Sequence, residues 1–239
     1  MNQNSDMSLD NELDRPSEIS YAALQLTIQP GDVLVFSGSD IPSNVVKLAT
    51  QSDHVHVAIV FSVDRTNDEG DNILIAESHI DTSLPSVGTG QRNFGMQLQW
   101  LSHRIAASKT PARWAALHPP LTASEIVNLQ SWLWELEQQQ IPYDFVQAIG
   151  AGMDVMDDIC GGNVQDLSAL FCSELVAYAL QRVNRVDASI NPSEQTPADV
   201  MQFPCLYPSI AVVNPPLSAL AVAANTLIAN PPEIPPATL

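Results

Sequence analysis

Short apolar runs rich in β-branched residues divide the first half of the chain into strands. Residues 33–36, 55–62 and 73–77 have this pattern, and the last two predict an antiparallel pair. The sequence Pro-Gly-Asp just before the first run is a turn signal. Two further short strands are predicted near residues 96–101 and 113–117, while residues 81–110 are otherwise rich in Ser, Gly and Thr and predict mainly loop.

Helical periodicity and capping residues predict several helices. Thr122 followed by Glu125 is a capping-box pattern and predicts a helix that extends to about residue 138. Thr196 before Pro197 predicts a helix start with proline at its first position. Further helices are predicted over residues 41–51, over residues 144–158, and from near Cys172 to about residue 183.

The two ends of the chain differ in composition from the region between them. Residues 1–20 are acidic and polar, which predicts a mostly disordered lead. Residues 21–212 are expected to form one domain. Residues 213–239 are Pro-rich and apolar, and this tail is expected to pack on the domain surface or on a partner subunit, as a contact for a homo-oligomer.

Composition narrows the classes of function. The chain has 239 residues, of which 45% are hydrophobic, enough for a sizeable core. A net charge of −18 with only nine Lys and Arg argues against nucleic acid as a partner. Three cysteines imply no disulfide framework and favour a reducing compartment. With neither a signal peptide nor a run of about 20 apolar residues, a cytoplasmic protein without a transmembrane segment is expected.

Cys172 is the candidate nucleophile. Its place at the predicted first turn of a helix would favour a thiolate, because a helix N-terminus stabilises negative charge. Glu174 is predicted to lie at the surface near the same helix start. Apolar residues follow Cys172 at helical spacing and place it on the stripe that faces the sheet: Leu175, Val176, Ala179, Leu180 and Val183. A buried, unreactive cysteine is the alternative interpretation.

His56 is the candidate base for this thiol. In a strand it shares a face with Ala58 and Val60, and Glu77 on the paired strand is expected to bring a carboxylate to the imidazole. A carboxylate there would fix the tautomer of the ring and stabilise its protonated form. Cysteine and histidine far apart in sequence but joined by a fold are typical of cysteine hydrolases and acyltransferases.

The same residues allow a metal site instead. His54 and His56 are two residues apart, as are Glu77 and His79. On adjacent strands the three imidazoles and the carboxylate could surround a transition metal. This alternative leaves the placement of Cys172 unexplained.

The order of six segments resembles the circularly permuted papain-like enzymes of the NlpC-like superfamily. The resemblance is to the YiiX/YaeF branch, with lecithin retinol acyltransferase as a more distant relative. It covers roughly residues 28–202. The segments are 31–36 (GDVLVF), 56–60 (HVAIV), 76–77 (AE), 142–144 (PYD), 171–176 (FCSELV) and 196–199 (TPAD).

The resemblance implies an α+β fold in which an antiparallel sheet packs against the helix that carries the cysteine. It implies Cys172 as nucleophile, His56 as base and Glu77 as the residue that orients the imidazole, with His79 as an alternative third member. It implies hydrolysis or transfer of an acyl group at an amide or ester bond of a peptide, lipid or small molecule, without a cofactor. The backbone N–H of Cys172 is expected to be one oxyanion donor. A non-enzymatic binding or scaffold protein on the same fold is the remaining alternative.

Overall fold

The structure is a computed structural model that describes residues 17–37, 54–66, 72–79, 83–108, 111–141 and 164–213. Within these ranges, the side chains of residues 54, 55 and 164–171 are not described. The helices predicted over residues 41–51 and 144–158 lie outside the described residues. So do Cys160, residues 1–16 of the predicted lead, and all but the first residue of the Pro-rich tail.

The described strands form a single seven-stranded sheet. Their bounds are β1 (Glu18–Ser20), β2 (Val33–Ser37), β3 (His54–Val63), β4 (Ile73–His79), β5 (Gly95–Trp100), β6 (Ala112–Ala115) and β7 (Ile210–Val213). The predictions of β2 to β6 are confirmed, each within a few residues. Strand β1 lies within the last three residues of the predicted lead, so regular structure begins before the expected position.

The described α-helices are five in number, and a short 3-10 turn precedes the last. Their bounds are α1 (Tyr21–Thr27), α2 (Leu101–Ala107), α3 (Ala123–Gln138), α4 (Val164–Arg182) and α5 (Pro197–Val200). Both predicted caps are confirmed, because Thr122 and Thr196 each form a capping box with the acidic residue three positions later. The mixture of sheet and helices confirms an α+β fold.

The strand order is β1-β7-β6-β2-β3-β4-β5. Every pairing is antiparallel except that of β1 with β7, which is parallel. The predicted antiparallel pair is β3 with β4. Helix α4, which carries Cys172, packs against both strands of this pair. The central strands therefore lie where side chains from several elements can meet.

Helices cover both faces of the sheet, which gives two apolar clusters. Alternation along β3 divides its side chains between them, as the sequence pattern predicted. Val57 and Ile59 pack in the cluster of α3 and α4, together with Cys172. Ala58 and Val60 pack in the cluster of α1 and α2.

A buried carboxyl group at the start of β2 joins this strand to its neighbour β6. Asp32 accepts hydrogen bonds from the backbone N–H of Leu117 at 2.8 Å and from the indole N–H of Trp114 at 2.9 Å. Gly31 just before it has a φ of 92°, a conformation that residues with a Cβ rarely adopt. The predicted Pro-Gly-Asp turn thus ends in a carboxyl group that joins β2 to the region of β6.

Two predictions about helices were wrong. Residues 101–107 were expected to be loop, but they form α2, a helix of only seven residues, too short to show a clear period. The helix of Cys172 was expected to start close to that residue. It starts at Val164 and Cys172 is its ninth residue, because the polar positions before Cys172 do not interrupt the helix.

Candidate active site

His56 and Glu77 form a buried hydrogen bond between two adjacent strands. The imidazole Nε2 of His56 lies 2.7 Å from Oε2 of Glu77. The imidazole is buried, and the carboxyl group has no exposed surface. Strand β4 supplies Glu77 and strand β3 supplies His56, so the pairing of two neighbouring strands brings the two side chains together. The sequence pattern had placed this carboxylate beside this imidazole.

A third buried side chain, Arg104 of α2, binds the other oxygen of Glu77. Its Nε donates to Oε1 at 2.9 Å, and its Nη2 donates to the same oxygen. Arg104 is also buried, with 4% of its surface exposed. Sequence reasoning missed Arg104 because α2 was predicted as loop. The pair Leu101 and Ile105, four residues apart on either side of it, was the available signal.

Cys172 completes a hydrogen-bonded chain of three side chains from β4, β3 and α4. His56 is hydrogen-bonded to the side chain of Cys172. Because Nε2 of the ring is taken by Glu77, the second ring nitrogen, Nδ1, is the one available to sulfur. The structure thus places the sequence-predicted Cys172, His56 and Glu77 in contact, in the order thiol, imidazole, carboxylate.

The contact between Cys172 and His56 joins the two layers of the molecule. Cys172 belongs to the apolar cluster of α3 and α4, as its helical spacing predicted. Ala58 and Val60, which alternate with His56 along β3, belong to the opposite cluster. His56 lies near the start of β3, beside an irregularity of the β2–β3 register at Phe36 and Ser37. The imidazole therefore meets the thiol near one end of the strand.

The protonation states within this chain follow from its contacts. Burial lowers the pKa of His56, but the hydrogen bonds and charges of Cys172 and Glu77 outweigh burial and raise that pKa to about 9. Burial raises the pKa of Glu77, yet the charge of Arg104 and the hydrogen bond from His56 hold it well below its ordinary value. Near neutral pH the imidazole is therefore cationic and the carboxylate is anionic.

His79 also contacts His56, and this contact is between the two rings. The two rings meet edge to face, with centroids 4.4 Å apart. The charge of His79 contributes to the lowered pKa of Glu77. Glu77, by contrast, holds His56 through a direct hydrogen bond. In this geometry Glu77 is hydrogen-bonded to the imidazole of His56, and His79 contacts the same ring edge to face.

The position of Cys172 within α4 contradicts the expected activation by a helix start. As the ninth residue of the helix, Cys172 has its backbone N–H inside the helical hydrogen-bond pattern. That N–H is therefore not available as an oxyanion donor in this structure, and the helix N-terminus is not what acts on the sulfur. Cys172 has no exposed surface, so a molecule from solution reaches its sulfur only after neighbouring groups move.

Glu174 differs from its expected place at the surface. It lies within α4 with 1% of its surface exposed, and its Oε1 has no hydrogen-bond partner among the residues that the structure describes. Burial raises the pKa of Glu174 to about 7. The prediction failed because it placed Glu174 in a first helical turn.

The metal-site alternative finds no support in the described part of the chain. There, no group of three or more His, Cys, Asp or Glu residues is arranged to hold a metal ion. The side chain of His54, one of the four predicted ligands, lies outside the described residues. Among the helices of the described ranges, none combines the length and the apolar character needed to cross a bilayer.

Comparisons with known proteins give distant structural similarity. No protein-family model matches the sequence, and no curated protein matches it. Among solved structures, the chain is similar to the metalloprotein YiiX from Escherichia coli O157:H7, with a TM-score of 0.47 and 18% sequence identity. The match covers 77% of this chain and 97% of the other. At this level the similarity carries no argument about function.

Proposed function

We propose that the protein is a cysteine hydrolase or acyltransferase that acts on an amide or ester bond through an acyl-thioester on Cys172. The observation that carries the proposal is the hydrogen-bonded chain from Cys172 to His56 to Glu77. A thiol, an imidazole and a carboxylate in this order are the parts of a Cys-His-acid triad. The permuted papain-like fold implied by the sequence resemblance belongs to the same proposal.

The proposed reaction gives each member of the chain a role. The proton of the Cys172 thiol passes to His56, and the sulfur attacks the acyl carbonyl carbon as the thiolate. The resulting intermediate collapses to the thioester when His56 gives its proton to the departing amine or alcohol. Water, or an acceptor amine or alcohol, then attacks the thioester while His56 takes its proton. The sulfur leaves and the acyl product departs. Glu77 stabilises the imidazole of His56 in the steps in which that ring is cationic.

A comparison of two buried thiols tests the proposal. Among the described residues, Cys205 and Cys172 are both buried cysteines outside any disulfide, but Cys205 has 8% of its surface exposed whereas Cys172 has none. Burial raises the pKa of Cys205. Accessibility alone predicts that Cys205 reacts first with iodoacetamide. The proposed function predicts that Cys172 reacts first, and that His56→Ala slows its labelling at least about tenfold.

Peptide mass spectrometry would follow both sites over time. The reagent is kept in the range where the rate rises linearly with its concentration, so that local opening is not the slow step. A panel of acyl probes should label wild type and Cys205→Ala but not Cys172→Ala. Equal labelling of the two cysteines, or probe labelling that survives Cys172→Ala, contradicts the proposal.

A non-enzymatic binding protein is the second candidate. The complete burial of Cys172 and its place inside a helix favour it, because a working nucleophile needs access to its substrate. This candidate predicts that Cys172 labels no faster than Cys205 and that His56→Ala leaves the rate unchanged. The same experiment therefore separates the two functions.

A further inference from the structure

We propose that Arg104 is a positioning residue of this site: it binds one oxygen of Glu77 and thereby presents the other oxygen, as an anion, to His56. The inference rests on the proposed function and extends its machinery to a fourth side chain. Arg104 contributes no atom to the proposed reaction and acts only through Glu77.

The geometry divides the carboxylate of Glu77 between two partners. Oε1 accepts from Nε of Arg104 at 2.9 Å and also from its Nη2. Oε2 lies 2.7 Å from Nε2 of His56. Because each oxygen has its own donor, rotation of the carboxylate would break bonds on both sides. The arrangement fixes the ring of His56 with its second nitrogen toward Cys172.

The electrostatics of the site require a cation at this position. A fully buried carboxyl group without a counter-charge becomes neutral, because burial disfavours the ionised form. The charged or titratable groups that act on Glu77 are Arg104 from α2, His56 from β3 and His79 from its own strand. Arg104 alone is charged in every step, whereas His56 must give up its proton in the reaction. Arg104 therefore holds the negative charge while the proton moves.

Helix α2 holds Arg104 in place. Leu101 and Ile105, on either side of Arg104 in sequence, pack in the apolar cluster between α1, α2 and the sheet. A planar guanidinium can place two donors on one carboxylate oxygen, which the single ammonium of lysine cannot do. A short helix that would be marginal alone thus carries a preformed donor pair to a fully buried acid.

A double-mutant cycle of Arg104→Gln with Glu77→Gln tests the inference, with the rate of Cys172 labelling as the measurement. Arg104→Gln should slow labelling at least about tenfold, the effect of one pKa unit in the imidazole. In the Glu77→Gln background the same change should alter the rate less than about twofold, since Arg104 acts only through Glu77. Arg104→Lys, which keeps the charge, should retain an intermediate rate.

Arg185→Gln is the matched control. It removes an arginine that pairs with Glu125 at the start of α3, and it should leave Cys172 labelling unchanged. Circular dichroism checks that each variant is folded. A single variant that leaves one buried charge unpaired could fail to fold. In that case the comparison uses Arg104→Lys and the double variant, which leaves no unpaired charge in the Arg104–Glu77 pair. If both of these label Cys172 at the wild-type rate, the inference is overturned.

The proposed function and the Arg104 inference are contradicted by different results, one in the wild type and the other in the variants. Failure of the proposed function shows in wild type, as equal labelling of Cys172 and Cys205. Failure of the Arg104 inference shows only in the variants. A folded Arg104→Gln that labels at the wild-type rate overturns it, and so does equal slowing in both Glu77 backgrounds or in Arg185→Gln.

Discussion

Two glutamates of this protein have almost no exposed surface, but their pKa values are shifted in opposite directions. Glu77 has no exposed surface and Glu174 has 1%. The contacts of Glu77 with Arg104 and His56 hold its pKa well below the ordinary value, although burial acts in the other direction. Burial raises the pKa of Glu174 to about 7, and no group among the described residues opposes this effect. Partners, rather than depth, therefore decide whether a buried carboxyl group is charged.

The difference also separates two sides of helix α4. Cys172 and Glu174 are two positions apart, which is about 200° around a helix. Cys172 faces the sheet and meets His56, whereas Glu174 points away from that contact. Helix α4 thus carries Cys172, which contacts the charged network, and also Glu174, whose pKa is raised to about 7.

The largest effect is expected from Glu77→Gln. The free energy of unfolding should fall by about 3–5 kcal/mol, because Arg104 would keep a buried charge without its anion. Urea unfolding near neutral pH measures the change. Adding Arg104→Gln should recover part of the loss by removing that charge. A loss below about 1 kcal/mol, typical of an exposed ion pair, would contradict the contrast between the two glutamates.

The same substitution at the other site, Glu174→Gln, should act in the opposite direction. The pKa of Glu174 is about 7 in the folded protein and 4.5 ordinarily. Its contribution to stability is therefore complete below pH 4.5 and is lost as the pH rises through 7. Glutamine does not titrate, so near about pH 8 the variant should be more stable than wild type by up to about 3 kcal/mol.

Urea unfolding of both proteins across this pH range measures the difference. Asp32 and His56 also titrate, but they are present in both chains, so their contributions cancel in the comparison. Near pH 4.5 the two curves should converge. Curves that run parallel across the range would show that Glu174 has the same pKa in the folded and unfolded states.

The smallest effect is expected from Tyr178→Phe, one helical turn after Glu174. Burial and the charge of Glu174 raise the pKa of Tyr178. The raised pKa of Glu174, in contrast, comes from burial and not from Tyr178. Removing the phenol hydroxyl should leave stability within about 0.5 kcal/mol of wild type and the titration of Glu174 unchanged. A higher pKa of Glu174 in the variant would reveal that Tyr178 had stabilised its anion.

Much of the sheet and its caps could be predicted because their signals are local. The β-branched apolar runs of β2, β3 and β4 are visible directly in the sequence, and the capping pattern of Thr122 with Glu125 lies within one helical turn. The pairing of His56 with Glu77 was also predictable, since it needed only the alternation of two adjacent strands. What the alternation did not show is that the neighbours of His56 along β3 pack on the side opposite Cys172.

The sequence by itself determined the strands, the capped helices and the identity of a thiol, an imidazole and a carboxylate able to act together. Only the tertiary structure decided their environment. Arg104 reaches Glu77 from an element 27 residues along the chain, and Cys172 lies inside a helix rather than at its start. The pKa of Glu174 is raised to about 7 because the fold buries this carboxyl group. Charge and access depend on groups brought together from distant parts of the chain, and no local pattern encodes that meeting.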